Sequence, residues 1–390
     1  MRARKIISVY LSAFLVGISL VLYPAAGNLF TSADFHGFTS SQYGSIYIPQ
    51  IVLAIITSLS APKIAERKSM KLVMIMGLAA LFVSNLLLAA SHFVMEGNLD
   101  YVLIMLGTGF LGAGFGFTIT ALNPFAYNLF PGKETSAVTA MHILLGAGTA
   151  AAALFLNYFV NLGSWYVGPA IIAGLVFIML LFTASVNLTL PVTEKVENET
   201  SGIPFKVWIF GLAVFLYGAC EATFGNWGTI FLEKSGGLTT TDAALGLSLF
   251  WGFIAIGRII FTFYALKYPT KWVLILAPIL IIGVFYALPS IEGRSMLLGC
   301  MALGGLGMSI IFPVTISTAT EQFPKYAAFI SGILVAAIQL GTGFSSNIIG
   351  FLNDSVSLSN LFQFSAVYGM LLMFLLFFLT KNPQEKLSVK

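Results

Sequence analysis

The sequence predicts an all-α membrane protein with twelve transmembrane helices in two pseudo-symmetric six-helix bundles. Three observations carry this. The chain is 58% hydrophobic and 9% charged, with a mean hydropathy of +0.94, whereas a soluble domain carries roughly 25% charged residues. Its apolar residues fall into runs of about 20, the length that crosses a ~30 Å hydrocarbon core at ~1.5 Å per residue. The basic residues are confined almost entirely to alternate loops. Composition therefore excludes a water-soluble globule. The net charge of +4 does not mark a nucleic-acid binder, because Lys and Arg are dispersed among the loops.

Taken in order, the predicted spans are 6–29, 43–62, 72–93, 101–129, 136–159, 165–190, 208–232, 242–266, 272–290, 295–318, 327–350 and 360–380. Arg2, Arg4 and Lys5 mimic the basic start of a secretory leader. The apolar run behind them continues to about Asn28, too long for such a leader, and no small-residue cleavage site ends it. It reads as the first spanning helix. The longest connector, PVTEKVENETSGIPF, is charged and carries a Gly and two Pro. It reads as a cytoplasmic linker, residues 191–205, between an N-terminal bundle (1–190) and a C-terminal bundle (206–390). Sixteen of the 19 Lys and Arg fall on the face that holds the termini. Lys234 and Arg294 fall on the other, and Arg258 is inside the eighth span. The positive-inside rule then predicts cytoplasmic termini and a multi-pass protein of the cell inner membrane. Cys220 and Cys300 stand inside apolar runs and read as packing residues.

The halves repeat each other. FLVGISLVLYP (14–24) aligns without gaps on FLYGACEATFG (215–225). At one further constant offset, Gly112, Gly114, Phe130, Pro131, Gly148 and Thr149 match Gly305, Gly307, Phe323, Pro324, Gly341 and Thr342. Two parallel repeats related by an axis along the membrane normal place a binding site between them.

One stretch carries chemistry. Trp208 to Leu232 holds a single ionisable side chain, Glu221, near its middle. A charge at bilayer depth costs at least ~2.5 kcal/mol, so such a carboxylate faces a cavity or a partner. Glu221 is the candidate proton-coupling site, set against a structural carboxylate satisfied by nearby hydroxyls. His142, eight residues beyond Glu134 in the fifth span, is a second candidate because an imidazole titrates near neutrality; the alternative is a neutral packing histidine. Arg258, charged at any pH, either contacts substrate, pairs with Glu221 or pins the turn after its helix. His36 and His92 lie near the outer boundary and are expected to be solvated. The glycine runs GTGFLGAGFG and GCMALGGLG lack the strand and the spacing of a nucleotide loop and read as close-packing helix faces.

The chain resembles the major facilitator superfamily over essentially its whole length. PKIAERKSMK (62–71) is similar to the family's loop between helices two and three. Glu66 and Arg67 match its acid–base pair and Lys71 its last basic position, while Pro62, Ser69 and Met70 replace Gly, Gly and Arg. YGACEATFGNW (217–227), followed by Gly257-Arg258, resembles the fucose–proton symporter-like and sodium-dependent glucose transporter-like branches. The chain departs from fucose-type symporters in having no carboxylate in its first helix and only Asp100 in its fourth.

The resemblance implies a gating role for Glu66, Arg67 and Lys71, and a cavity lined by helices one, four, seven and ten with five, eight and eleven at the seam. On those helices the candidate substrate contacts are Asn123, Tyr127, Asn226, Trp227, Trp251, Arg258, Gln339 and Asn347. Amides beside ring faces suit a polyhydroxylated solute, because amides donate and accept. Each residue taken singly also fits packing, and Trp227 fits an interfacial belt. The expected function is secondary active transport of a small polar organic solute such as a sugar, coupled to protons or to sodium. The protein is expected to act as a monomer, without cofactor or metal and without enzymatic activity. The alternatives are a transporter of an anionic or amphiphilic metabolite, such as a carboxylate siderophore or a drug, and a non-transporting membrane sensor.

Overall fold

The computed structural model describes residues 2–95, 97–190, 202–265 and 271–381; positions 191–201 of the predicted linker lie outside the described residues. Among these, twelve helices are long and apolar enough to cross a membrane. They are α1 (Arg2–Thr31), α2 (Ser40–Arg67), α3 (Met70–Val94), α4 (Leu99–Leu129), α5 (Ser136–Asn161) and α6 (Val167–Ser185). The second half holds α7 (Phe205–Lys234), α8 (Thr240–Phe263), α9 (Trp272–Ser290), α10 (Arg294–Gln322), α11 (Phe329–Leu352) and α12 (Leu358–Leu379). All twelve predicted spans are present.

Two elements differ from the sequence reading. Helix α2 continues through Pro62 to Arg67, so Glu66 and Arg67 are helical rather than in a loop. The chain turns only at Lys68, and Ser69 caps α3 by accepting the Leu72 amide at 3.1 Å. Helix α10 is interrupted: one segment ends at Met308, the next begins at Ile311, and Ser309-Ile310 form a turn between them.

The duplication seen in the sequence is visible contact by contact. Gly17 abuts the Leu145 carbonyl and Gly148 the Phe14 carbonyl, closing α1 on α5. At the matching positions Gly218 abuts the Ile338 carbonyl and Gly341 the Phe215 carbonyl, closing α7 on α11. Likewise Gly112 faces the Gln50 carbonyl of α2 and Gly305 the Phe250 carbonyl of α8. Gly114 meets Leu81 of α3, and Gly307 meets Ile281 of α9. A side chain at any of these glycines would hold the paired backbones apart, which is how small residues drive helix association without a hydrophobic force. Even the stops match: Phe130 ends α4 at φ −134° and Phe323 ends α10 at φ −133°, each before a proline.

Basic residues at the terminus face tie helix ends together. Arg2 donates to the Leu129 carbonyl (3.2 Å), Lys71 to Ala184 O (2.7 Å) and Arg4 to Ser185 Oγ (2.9 Å). Cations at the C-terminal ends of α4 and α6 satisfy free carbonyls and oppose the helix dipole. Glu66 and Arg67, by contrast, are exposed.

On the side remote from the termini the two halves interlock. Tyr43 of α2 donates to the Asn226 carbonyl of α7 at 2.5 Å and sets its ring edge-on to Trp227, 4.9 Å between centroids. Asn28 of α1 donates to the Glu233 carboxylate of α7. Asn157 of α5 donates to Thr241 of α8 (3.2 Å), and Asn353 donates to Ser40 of α2 (2.8 Å). Gly44 of α2 and Gly350 of α11 let these two backbones touch. At the terminus side Tyr127, Asn128, Ser317 and Glu321 of α4 and α10 are exposed, and the two helices do not pack closely there. The molecule is thus sealed remote from its termini and open towards them.

Candidate transport site

The site grows from α7, whose residues from Phe210 to Leu232 are buried almost all round. A helix apolar on every side is one packed inside a bundle, so a carboxylate on it has to meet a partner. Glu221 meets one. Tyr217, one turn earlier and fully buried, donates its hydroxyl to Glu221 Oε2; positions four apart share a helix face. Arg258 of α8 is in the neighbourhood of Glu221, Tyr217 and His142 but forms no ion pair with Glu221 within 4.0 Å. Its Nε donates to the Ser309 carbonyl at 3.1 Å, a group left free by the interruption of α10. Glu221 and Arg258 are only partly buried.

The first half contributes α4 and α5. Asn123 donates its amide to Ile119 O (3.1 Å), which turns its carbonyl oxygen towards His142 Nε2 at 3.0 Å. An amide oxygen only accepts, so His142 carries its proton on Nε2 and keeps Nδ1 as its free basic position. The fold therefore gathers Glu221, Arg258, His142 and Asn123 from four helices and both halves. Trp251 is two turns from Arg258 on α8, partly buried, with its indole N–H unpaired. Gln339 and Asn347 are partly buried on α11, and Asn347 donates to Gly343 O at 2.9 Å.

Other predicted residues stand elsewhere. Asn226 and Trp227 are buried in the interlock remote from the termini, where Asn226 donates to Ser346 at 2.7 Å and Trp227 is fully covered. Tyr127 is 54% exposed at the open end of α4. Lys71 ties α3 to α6. The outer histidines are not solvated as expected. His36 is buried, its Nδ1 2.8 Å from the buried Asp100 carboxylate among Phe30, Phe38 and Trp165; His92 is partly buried and stacks on Tyr166. Loop position alone gave no sign of this, because the partner is 64 residues away. Sequence reading also missed Tyr217 as a partner of Glu221, although the i,i+4 spacing was there to be read. It missed Tyr43 and the Ser309 carbonyl too, and no sequence signal marks those.

The Major Facilitator Superfamily profile matches residues 9–292 and 210–390, and so covers nearly the whole chain. The chain is 22% identical over 284 residues to the glucose/mannose transporter GlcP of Bacillus subtilis (strain 168), covering 68% of this chain and 69% of that one. It is 26% identical over 325 residues to a Helicobacter pylori protein assigned as a glucose/galactose transporter, covering 76% and 77%. Among solved structures, the bacterial homolog of the human lysosomal transporter Spinster superposes with a TM-score of 0.76 at 12% identity, covering 98% of this chain and 97% of that one. The nucleoside transporter NupG superposes with a TM-score of 0.73 at 15% identity, covering 97% and 100%. With twelve membrane-length helices, a duplicated packing pattern and a polar site between the repeats, the chain belongs to the Major Facilitator Superfamily of membrane transporters.

Proposed function

We propose that the protein is a secondary active transporter of a sugar, driven by protons and working by alternating access in the cell inner membrane with both termini in the cytoplasm. The observation that carries the reading is the gathering of Glu221, Arg258, His142 and Asn123 where the halves meet. Donors and acceptors mixed in this way suit hydroxyl groups, and the GlcP resemblance supports a hexose. Residues 1–190 and 206–390 are the two moving bodies, and the chain works as a monomer. Glu221 takes and releases the coupling proton, and His142 modulates it. Arg258, Asn123, Trp251, Gln339 and Asn347 face substrate, with Tyr127 at the mouth. Asn226 and Trp227, buried against Ser346 and Tyr43, hold the interlock between the halves rather than face substrate. Glu66, Arg67 and Lys71 steady the terminus side during closure.

Arg258 favours a second reading, an anionic solute held by the guanidinium. The two separate in one experiment. Purified protein is melted in detergent with hexoses and with small carboxylates, since a ligand that binds only the folded state raises the melting temperature. A saturable shift with glucose, mannose or galactose that disappears in Asn123→Ala supports the first reading. A shift confined to carboxylates and lost in Arg258→Gln replaces it.

A further inference from the structure

The outer interlock encloses a small cavity that the sugar site does not use. Its polar lining is Asn28 of α1, Asn157 of α5, Thr229 of α7 and Thr240 of α8, apolar side chains of α1, α5 and α8 complete the wall, and its volume is about 20 Å³. That is room for a single water-sized particle. Both amides are oriented by bonds made through their nitrogens. Asn28 Nδ2 donates to Glu233, and also to Thr229 O at 3.4 Å, while Asn157 Nδ2 donates to Thr241 Oγ1 at 3.2 Å. Their carbonyl oxygens are left buried with no hydrogen-bond partner, and Asn157 as a whole is only 6% exposed. Two orphaned acceptors beside one cavity demand a positive or donating occupant.

The charge nearby selects between these. Glu233, half-buried and hydrogen-bonded to Asn28 and Thr240, has no ion-pair partner within 4.0 Å among the described residues. Lys234 beside it is exposed. A carboxylate with no ion pair within 4.0 Å among the described residues, near two buried amide oxygens left without partners, makes the cavity electronegative. A neutral water gains little from that field, whereas a cation gains directly. Neutral amide and hydroxyl oxygens, with the carboxylate outside the lining, are too little charge for a divalent ion, which takes carboxylates directly.

We propose that the cavity binds one dehydrated monovalent cation of about sodium's size, held by Asn28 Oδ1 and Asn157 Oδ1 with the hydroxyls of Thr229 and Thr240. Its ligands come from both halves, so the ion binds only while the outer interlock is closed. A cation at ten times its Kd then raises the closed-to-open ratio about 11-fold. The site shares no residue with the Glu221 cluster, and its test needs no substrate, so its failure leaves the sugar reading standing.

The full-length protein in detergent is assayed by equilibrium binding of radioactive sodium, and by melting in sodium, lithium, potassium and N-methylglucamine chlorides at equal ionic strength. The expected result is saturable sodium binding near one per chain, with a melting shift specific to the small cations. Asn157→Leu fills the cavity with hydrocarbon and should abolish both. Identical melting in every salt, or sodium binding that survives in Asn157→Leu, overturns the proposal and leaves a water in the cavity. Should Asn157→Leu fail to fold, Asn157→Asp takes its place: the site predicts sodium binding at least tenfold tighter at pH 8, and an unchanged affinity overturns it.

Discussion

Gly44→Ala is a wedge at the point where α2 meets α11. A Cβ placed on Gly44 lies 2.5 Å from the Ser346 carbonyl oxygen, 3.2 Å from Gly350 Cα and 3.3 Å from Asn347 Cα, against an ordinary contact of 3.4 Å or more. All three neighbours are backbone and no rotamer change relieves them. The helices have to separate by roughly 0.9 Å at the closest atom, and overpacking of this kind costs about 1–3 kcal/mol. The cost falls only on the state in which α2 and α11 touch. The better helix propensity of Ala, about 1 kcal/mol over Gly, applies in both states and cancels. The equilibrium should therefore move towards the outer-open form by about 5- to 150-fold. Ala244, buried at the interlock, serves as the reporter. With Cys220 and Cys300 replaced and Ala244→Cys introduced, an impermeant thiol reagent should label Gly44→Ala from the outer side faster by that factor. Gly299→Ala, which meets nothing within 4 Å, should leave the rate unchanged. Equal labelling of wild type and Gly44→Ala would refute the claim that this contact holds the outer side shut.

The duplicated glycines make a second prediction: Gly17→Ala and Gly218→Ala, each driven into a carbonyl of the partner helix, should both lower the melting temperature, by about 1 °C per kcal/mol lost for a chain of this length. Gly299→Ala should not. His36 predicts a pH effect. Burial holds its imidazole below the usual histidine range, with Asp100 opposing. Between about pH 6.5 and the lower folded value the unfolded chain binds more protons, so stability is full above 6.5 and falls as the pH drops. Melting between pH 7.5 and 5.5 should show a steeper loss in wild type than in His36→Gln; parallel curves would count against a buried neutral imidazole. For topology, single cysteines at Ser69 and Asn98 should label from opposite sides of the membrane.

The fold was legible because its signals are local and additive. Each span is a run of apolar residues, and the glycine register that aligns the halves is the register in which their backbones touch. What stayed hidden depended on neighbours brought from far along the chain. His36 stands in a loop and so reads as solvated, but Asp100 and Trp165 close around it. Asn226 and Trp227 looked like cavity residues because they share a helix with Glu221; a change of one turn along α7 carried them into the interlock with Tyr43. The Pro62–Arg67 stretch looked like a loop because it is charged and begins with proline. The helix runs through it because its polar side chains project outward and are exposed. Glu221 is legible from composition alone, since an isolated carboxylate in an apolar run is costly wherever it points, but its partner Tyr217 and its neighbour Arg258 emerge only from the packing.

In the proposed function Glu221 carries the coupling proton between sugar and gradient. The measurement is uptake of a labelled hexose into proteoliposomes with an imposed pH gradient, alongside exchange of labelled for unlabelled sugar with no gradient, in wild type and Glu221→Gln. Gln imitates the protonated carboxyl and cannot release it. Glu221→Gln should lose accumulation against a sugar gradient while retaining exchange within a few-fold of wild type. Uphill, pH-driven uptake at wild-type level in Glu221→Gln would contradict it and make the carboxylate a structural partner of Tyr217.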